Sequence, residues 1–279
     1  MLAKPDHPVS EHVIESPDEA PIFIIGTGRS GTTLLRQMLN AHPRIHITHE
    51  ACFYSAARHT PPGTPVREFL TRYFETSSFA WLRLDPAAVL SDLPADLSNV
   101  PLPQVFRAIM RQKARQRGKV RYGEKNPLDT HNLAQIFADF RDPRVVFIMR
   151  DPRPTTQSFN RMPFGTQSAL INALICKVQH QHIQPYRDRI LEVRLEDLAT
   201  DGRAVMGNIL RFVGEPWDDA VLDPVGKAPV DDVPPLPWFV GATKELPSTA
   251  QSTQGWQERM DPAWIRWIER LNREAMDYY

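Results

Sequence analysis

The segment Pro21-Ile-Phe-Ile-Ile25, followed at once by Gly26-Thr-Gly-Arg-Ser-Gly-Thr-Thr33, limits the folds open to this chain more than any other stretch. A short β-branched and aromatic run reads as a strand. The glycines force a tight turn, and Thr33-Leu-Leu-Arg-Gln-Met-Leu39 then spaces its apolar residues for a helix. In such a strand–loop–helix unit the first helical N–H groups and the helix dipole, worth roughly half a positive charge, face the loop and can hold an anion.

The glycine spacing follows the first half of the phosphate-loop pattern G-x-x-x-x-G-K-[ST], but Thr32 stands where the lysine belongs. An ordinary ATP or GTP hydrolase is thereby disfavoured. The cation sits inside the loop as Arg29, whose planar guanidinium can fork onto two oxygens of a bound anion. Gly28, Arg29, Ser30, Gly31, Thr32 and Thr33 are the candidate binding residues here.

Two further strands are expected. Arg144–Met149 is the continuous apolar run of a strand covered on both faces, and Ile190–Arg194 is another. Helical patterns occupy Leu102–Arg117, Leu128–Phe140, Gln167–Tyr186, Arg203–Val213 and Pro262–Met276. Strands separated by helices predict a single α/β domain over residues 21–279, with a mostly parallel, P-loop-type central sheet flanked by helices. Residues 1–20 read as a poorly ordered lead-in, and the proline-rich Val230–Pro237, with Trp238 and Phe239 after it, as an ordered surface crossing.

A second anion site is expected where Arg150 ends the Arg144–Met149 strand. Asp151-Pro152 breaks that strand, Pro154 suits a first helical turn, and Ser158 follows on the helix. Both groups would face the crevice at the strand ends, where open parallel sheets bind ligands.

Arg29-Ser-Gly-Thr-Thr-Leu-Leu, with Leu39-Asn-Ala-His-Pro43 and Glu50 after it, resembles the 5′-phosphosulfate loop of sulfotransferases that use 3′-phosphoadenosine 5′-phosphosulfate (PAPS). The likeness is strongest to the tyrosylprotein and related bacterial branch. Val145–Arg153 with Ser158 resembles the family's 3′-phosphate site, and Val193–Leu198 a further family segment in which Leu195 replaces the usual aromatic. Ser248–Trp256 loosely resembles the loop that closes over the nucleotide. The resemblance implies PAPS as sulfuryl donor, without a metal, and assigns Lys125 in Gly123-Glu-Lys-Asn-Pro127 to the transferring group beside Arg29. It also implies Glu50 as the base for the acceptor, with His49 the alternative. If residues 45–50 are extended, His49 and Glu50 point to opposite sides, so only one faces the acceptor. A peptide tyrosine, a sugar hydroxyl, a lipid headgroup and a small phenol all demand the same base and cations, so a small-molecule, glycan or peptide acceptor fits.

Other function classes are set aside on composition. Lys plus Arg and Asp plus Glu balance at 33 each, so no global field draws the chain to nucleic acid. Its first apolar run is far too short to span a bilayer and has acidic flanks, which points to the cytoplasm and to Cys52 and Cys176 reduced and buried. His180 and His182 cannot share a helix face, and no zinc signature is present. The basic run Arg107–Lys119 reads as a solvated helix face, and Trp256, Trp264 and Trp267 as core or loop anchors. Two competing readings are a P-loop nucleotide kinase, which calls for a loop lysine, and a catalytically inactive nucleotide-binding interaction module.

Overall fold

The computed structural model describes residues 20–166, 168–224 and 255–277. Strand β1 (Ile22–Gly26) leads through the glycine loop into helix α1 (Thr32–Ala41), which is followed by β2 (Ile45–His49). Four short helices come next, α2 (Phe53–Arg58), α3 (Val66–Phe74), α4 (Ser77–Leu82) and α5 (Pro86–Ser91), and then the longer α6 (Leu102–Gln116). Strand β3 (Arg121–Lys125), a 3-10 turn at Pro127–Asn132, α7 (Leu133–Asp139), β4 (Arg144–Met149), α8 (Pro152–Phe159), α9 (Ala169–Ile183) and β5 (Ile190–Arg194) complete the sheet. Helices α10 (Leu195–Thr200), α11 (Gly202–Val213), α12 (Pro262–Leu271) and α13 (Arg273–Met276) finish the described chain.

The five strands lie in the order β2-β3-β1-β4-β5, all parallel. Every residue of β1 is buried because both faces of the sheet are covered. Phe23 and Ile25 point into a core built with α2 through α7, whereas Ile22 and Ile24 point into a second core with α1, α10 and α11. The first core is rich in aromatics: Phe23 stacks on Phe106 at 5.3 Å, and Phe53 meets Tyr54, Phe69, Tyr73 and Phe106 edge-on. At the sheet edge, Asn40 of α1 takes the place of a missing strand neighbour. It accepts from the Ile47 N–H at 2.6 Å and donates to the Ile47 carbonyl at 3.0 Å.

The expected strands and the helices from Leu102 onward are present, but several readings change. The Leu128–Phe140 pattern begins as the 3-10 turn, because Pro127 opens it and Asn126 caps it through a bond from the Leu128 N–H to Oδ1. The basic run of α6 is no solvated face. Lys113 is 2% exposed and donates to the Leu82 carbonyl at 2.7 Å, while Arg107 and Arg111 lie over the Phe140 and Tyr122 rings. Trp256 is buried under Arg153, but Trp264 and Trp267 stand 43% and 58% exposed on α12 and anchor no core there. Both cysteines are free, Cys176 buried and Cys52 half-buried. The lead-in over residues 1–19, the Val230–Pro237 crossing with Trp238 and Phe239, and most of the Ser248–Trp256 loop lie outside the described residues. Among those described, no helix is long and apolar enough to cross a membrane.

Candidate functional site

Parallel strands bring their carboxyl ends to one edge of the sheet, and that edge carries the expected residues side by side. The β2 end bears Glu50, β3 bears Lys125, β1 opens into the glycine loop, and β4 runs into Arg150. At a strand spacing of about 4.8 Å, three steps separate the outer two by about 14 Å.

The loop is held open by its own chemistry. Gly26 has φ +155°, and a Cβ there would stand 2.3 Å from the Ile148 carbonyl oxygen, so only glycine lets β1 turn against β4. The Ser30 hydroxyl is fully buried and donates to that same carbonyl at 2.8 Å, while its N–H donates to Thr27 O at 3.0 Å. Ser30 therefore shapes the loop, and its hydroxyl proton is committed away from the anion it was expected to meet. Gly31, φ +98°, precedes helix α1 as its N-cap residue and offers no side-chain cap, and no acidic residue lies in the first turn. Its leading N–H groups are thus left to an anion. Gly28, Arg29, Gly31 and Thr33 are partly exposed around that end, whereas Thr32 is buried. Leu195, in the aromatic's place, packs beneath Gly31.

Arg29 takes a left-handed backbone, φ +69°, and its Nε donates to Ser158 Oγ at 3.1 Å across 129 residues. Partial burial pushes the Arg29 guanidinium below its ordinary range, but the group remains a cation at pH 7. Arg150 donates to the Arg29 carbonyl at 3.2 Å. The residues of the two stretches singled out from sequence thus lie together, Arg29 touching both Ser158 and Arg150. Arg153 belongs to its framework instead: it pairs with Asp151 at 2.7 Å and Glu269 at 2.6 Å, tying α8 to α12.

Beyond the loop, Lys125 Nζ donates to Glu50 Oε1 at 2.6 Å and lies 3.1 Å from His49 Nε2. His49 and Glu50 do not point to opposite sides as extended backbone would require. Glu50 has φ +33°, which ends the pleat one residue after β2 and swings its carboxylate back to the ammonium that His49 also meets. The Lys125 side chain is 1% exposed and that of Glu50 23%. Burial pushes the Lys125 ammonium down, and Glu50 opposes the shift. His49 is held well below its ordinary range by burial and by the Lys125 and Arg36 charges, so it is a neutral ring at pH 7.

Two left-handed residues, Glu50 and Cys52 (φ +53°), flank Ala51, each costing about 1 kcal/mol or more. Three clamps hold this turn. The Glu50 N–H donates to Lys125 O at 2.8 Å, the Cys52 N–H to Glu124 Oε1 at 2.7 Å, and the Tyr73 hydroxyl to Ala51 O at 2.8 Å. Glu124 and Tyr73 were not singled out from sequence: a carboxylate on a strand and a tyrosine on a surface-patterned helix carry no motif. Glu124 is fully buried with Asp129 nearby, and Asp129 accepts from Asn126 at 3.1 Å and Asn132 at 2.9 Å. Burial raises both carboxyls, Asp129 to about 7; the Asp129 charge raises Glu124 further. Among the described residues, no cluster of three or more histidine, cysteine or acidic side chains is placed to hold a metal.

The architecture is an α/β fold whose five-stranded parallel sheet is flanked by helices, with Arg29, Lys125 and Arg150 gathered along its carboxyl edge. Residues 21–219 match the model of the sulfotransferase family, and the chain belongs to that family. A protein-tyrosine sulfotransferase of Drosophila melanogaster is 28% identical over 211 residues, 72% of this chain and 39% of that protein. Protein-tyrosine sulfotransferase 1 of Danio rerio is 27% identical over 240 residues, 79% of this chain and 61% of its own length. The chain thus spans less than two thirds of the length of these relatives. Among solved structures, the sulfotransferase domain from the Synechococcus PCC 7002 olefin synthase superposes with a TM-score of 0.65 at 23% identity, covering 95% of this chain and 98% of that one. The corresponding domain from the curacin biosynthetic pathway gives 0.59 at 19% identity, covering 90% and 96%; both likenesses concern the fold.

Proposed function

We propose that this protein transfers the sulfuryl group of PAPS to a hydroxyl acceptor. The observation that carries the reading is the crevice in which the uncapped start of α1, Arg29, Ser158 and Arg150 lie together at the same sheet edge as the Lys125–Glu50 pair. The loop N–H groups and Arg29 suit the 5′-phosphosulfate, and Arg150 with Ser158 suits the 3′-phosphate. PAPS supplies the activated sulfur. Glu50, the more exposed of the two candidate bases, takes the acceptor proton, and His49 remains neutral and buried beside Lys125. The acceptor oxygen bonds to sulfur as the bond from sulfur to the 5′-phosphate oxygen breaks, leaving 3′-phosphoadenosine 5′-phosphate (PAP). Lys125 and Arg29 face the charge that develops on the transferring and leaving groups. Such a transfer needs no metal, and the cytoplasm is the compartment we assign.

A nucleotide kinase reading fares worse on the same observation, since a buried threonine, Thr32, fills the position of the loop lysine. The test is calorimetric titration with PAP, ADP and AMP on the wild type and Arg150→Ala. Preference for PAP that disappears in the variant supports the donor assignment; equal affinity for PAP and ADP in the wild type overturns it.

A further inference from the structure

Helices α2 and α3 and the start of α4 border an open pocket of about 230 Å³ whose lining begins one residue beyond Glu50, at Ala51, and ends at Ser78. Cys52, Ser55, Ala56 and His59 form one side, and Tyr73 and Thr76 the other. The pocket adjoins the turn that carries Glu50: Ala51 and Cys52, the two residues after it, are in the lining, and the Glu50 N–H is bonded to Lys125 O at 2.8 Å. Burial, with Glu124 and Glu50, pushes the Cys52 thiol up to about 12.

The lining is poor in groups that could bind a charged acceptor. Among the described residues that line it there is no lysine or arginine. The Tyr73 hydroxyl is committed to Ala51 O, and the Thr76 hydroxyl donates to Tyr73 O at 2.7 Å while accepting from the Phe79 N–H at 3.1 Å. His59 Nδ1 is 2.7 Å from the Ser55 carbonyl. The Tyr73 ring is fixed by Phe53, Phe69 and Phe79, so it forms a rigid aromatic wall. The volume lies below the roughly 300–1,000 Å³ of pockets that take drug-sized ligands.

We infer that this pocket receives the body of a small, uncharged phenol or alcohol, whose hydroxyl projects to Glu50. The inference rests on the reading of Glu50 as base. It separates this chain from an acceptor such as an acidic tyrosyl peptide, whose carboxylates would meet no lysine or arginine among the described lining residues.

The experiment uses 2-naphthol as probe, titrated into the PAP-loaded protein and assayed as acceptor with labelled PAPS, beside an acidic tyrosyl peptide. Ala56→Phe fills the pocket, and Ser55→Leu is a second, milder obstruction; PAP affinity within about twofold of wild type confirms that each variant is folded. Expected are saturable naphthol binding, a rise of tenfold or more in its Kd and KM in Ala56→Phe with a smaller rise in Ser55→Leu, and at least tenfold lower kcat/KM for the peptide. Naphthol affinity absent from the wild type or unchanged in both variants, or preference for the peptide, overturns the pocket assignment. Naphthol is titrated into the protein without PAP as well, so failure of the wild type to bind PAP overturns the donor reading separately from the pocket assignment.

Discussion

Lys125 ends β3 and Glu50 directly follows the neighbouring β2, 75 residues apart in sequence, and the lysine donates a 2.6 Å hydrogen bond to the glutamate. The register that pairs His49 with Lys125 puts the ammonium level with the end of β2, and the left-handed Glu50 turns its carboxylate onto it. One residue thus holds the acid in place while remaining next to the crevice that suits the donor.

Glu50→Gln keeps the shape and an acceptor for Lys125 but removes the base. Turnover should fall by about 10²–10⁴, while PAP affinity changes less than threefold. Single-turnover kinetics with labelled PAPS alongside calorimetry would show this, and a variant retaining a tenth of wild-type rate would rule Glu50 out.

Arg150→Ala removes one charge-assisted contact from the expected 3′-phosphate. A loss of about 1.5–3 kcal/mol corresponds to roughly 10–100-fold weaker PAP binding, with ADP affinity barely altered. Calorimetry reads both. Because Arg150 also donates to the Arg29 carbonyl, Arg150→Lys should recover only part of the loss.

Tyr73→Phe leaves the Ala51 carbonyl without its hydroxyl donor at a turn flanked by two left-handed residues. An unsatisfied buried acceptor costs about 1–3 kcal/mol, so the melting temperature should drop by several degrees. The turn also aims Glu50, so kcat should fall more than KM for PAPS rises. A variant with normal kcat and a lowered melting temperature would confine Tyr73 to a structural role.

Stability should decline as pH rises through the acid-to-neutral range because of Glu124 and Asp129. Asp129 titrates near 3.8 when unfolded and about 7 when folded, so between these values the folded chain binds more protons than the unfolded chain. Stability therefore falls with rising pH across that window and levels off above it; Glu124, also raised, acts in the same direction. Glu124→Gln, which can still accept from the Cys52 N–H, should flatten the dependence, as should Asp129→Asn. Melting temperatures measured from pH 4 to 8 test this, and variant curves parallel to wild type would refute it.

Much of the fold was legible because its signals are local. β-Branched runs marked β1, β4 and β5, and glycines at Gly26, Gly28 and Gly31 marked the loop, since only they allow its backbone approaches. Arg29 was picked out by its place in the loop and Arg150 by its place at a strand end, whereas Lys125 and Glu50 came from the family resemblance. Residues 53–91 were opaque: their helices are six to nine residues long, too short for a clear period, and they are held by aromatic packing that no local pattern encodes.

What the sequence determined by itself was therefore the strand–loop–helix, the alternation that yields a parallel sheet, and the set of charged residues at its strand ends. Only tertiary structure decided that β2 pairs with β3, which is what brings Glu50 and Lys125 together. It alone bent the chain at Glu50 so that His49 and Glu50 converge, and it buried Lys113 while leaving Trp267 in solvent. Each of these depends on contacts between residues distant in sequence, where packing and desolvation outweigh the local preferences a linear pattern records.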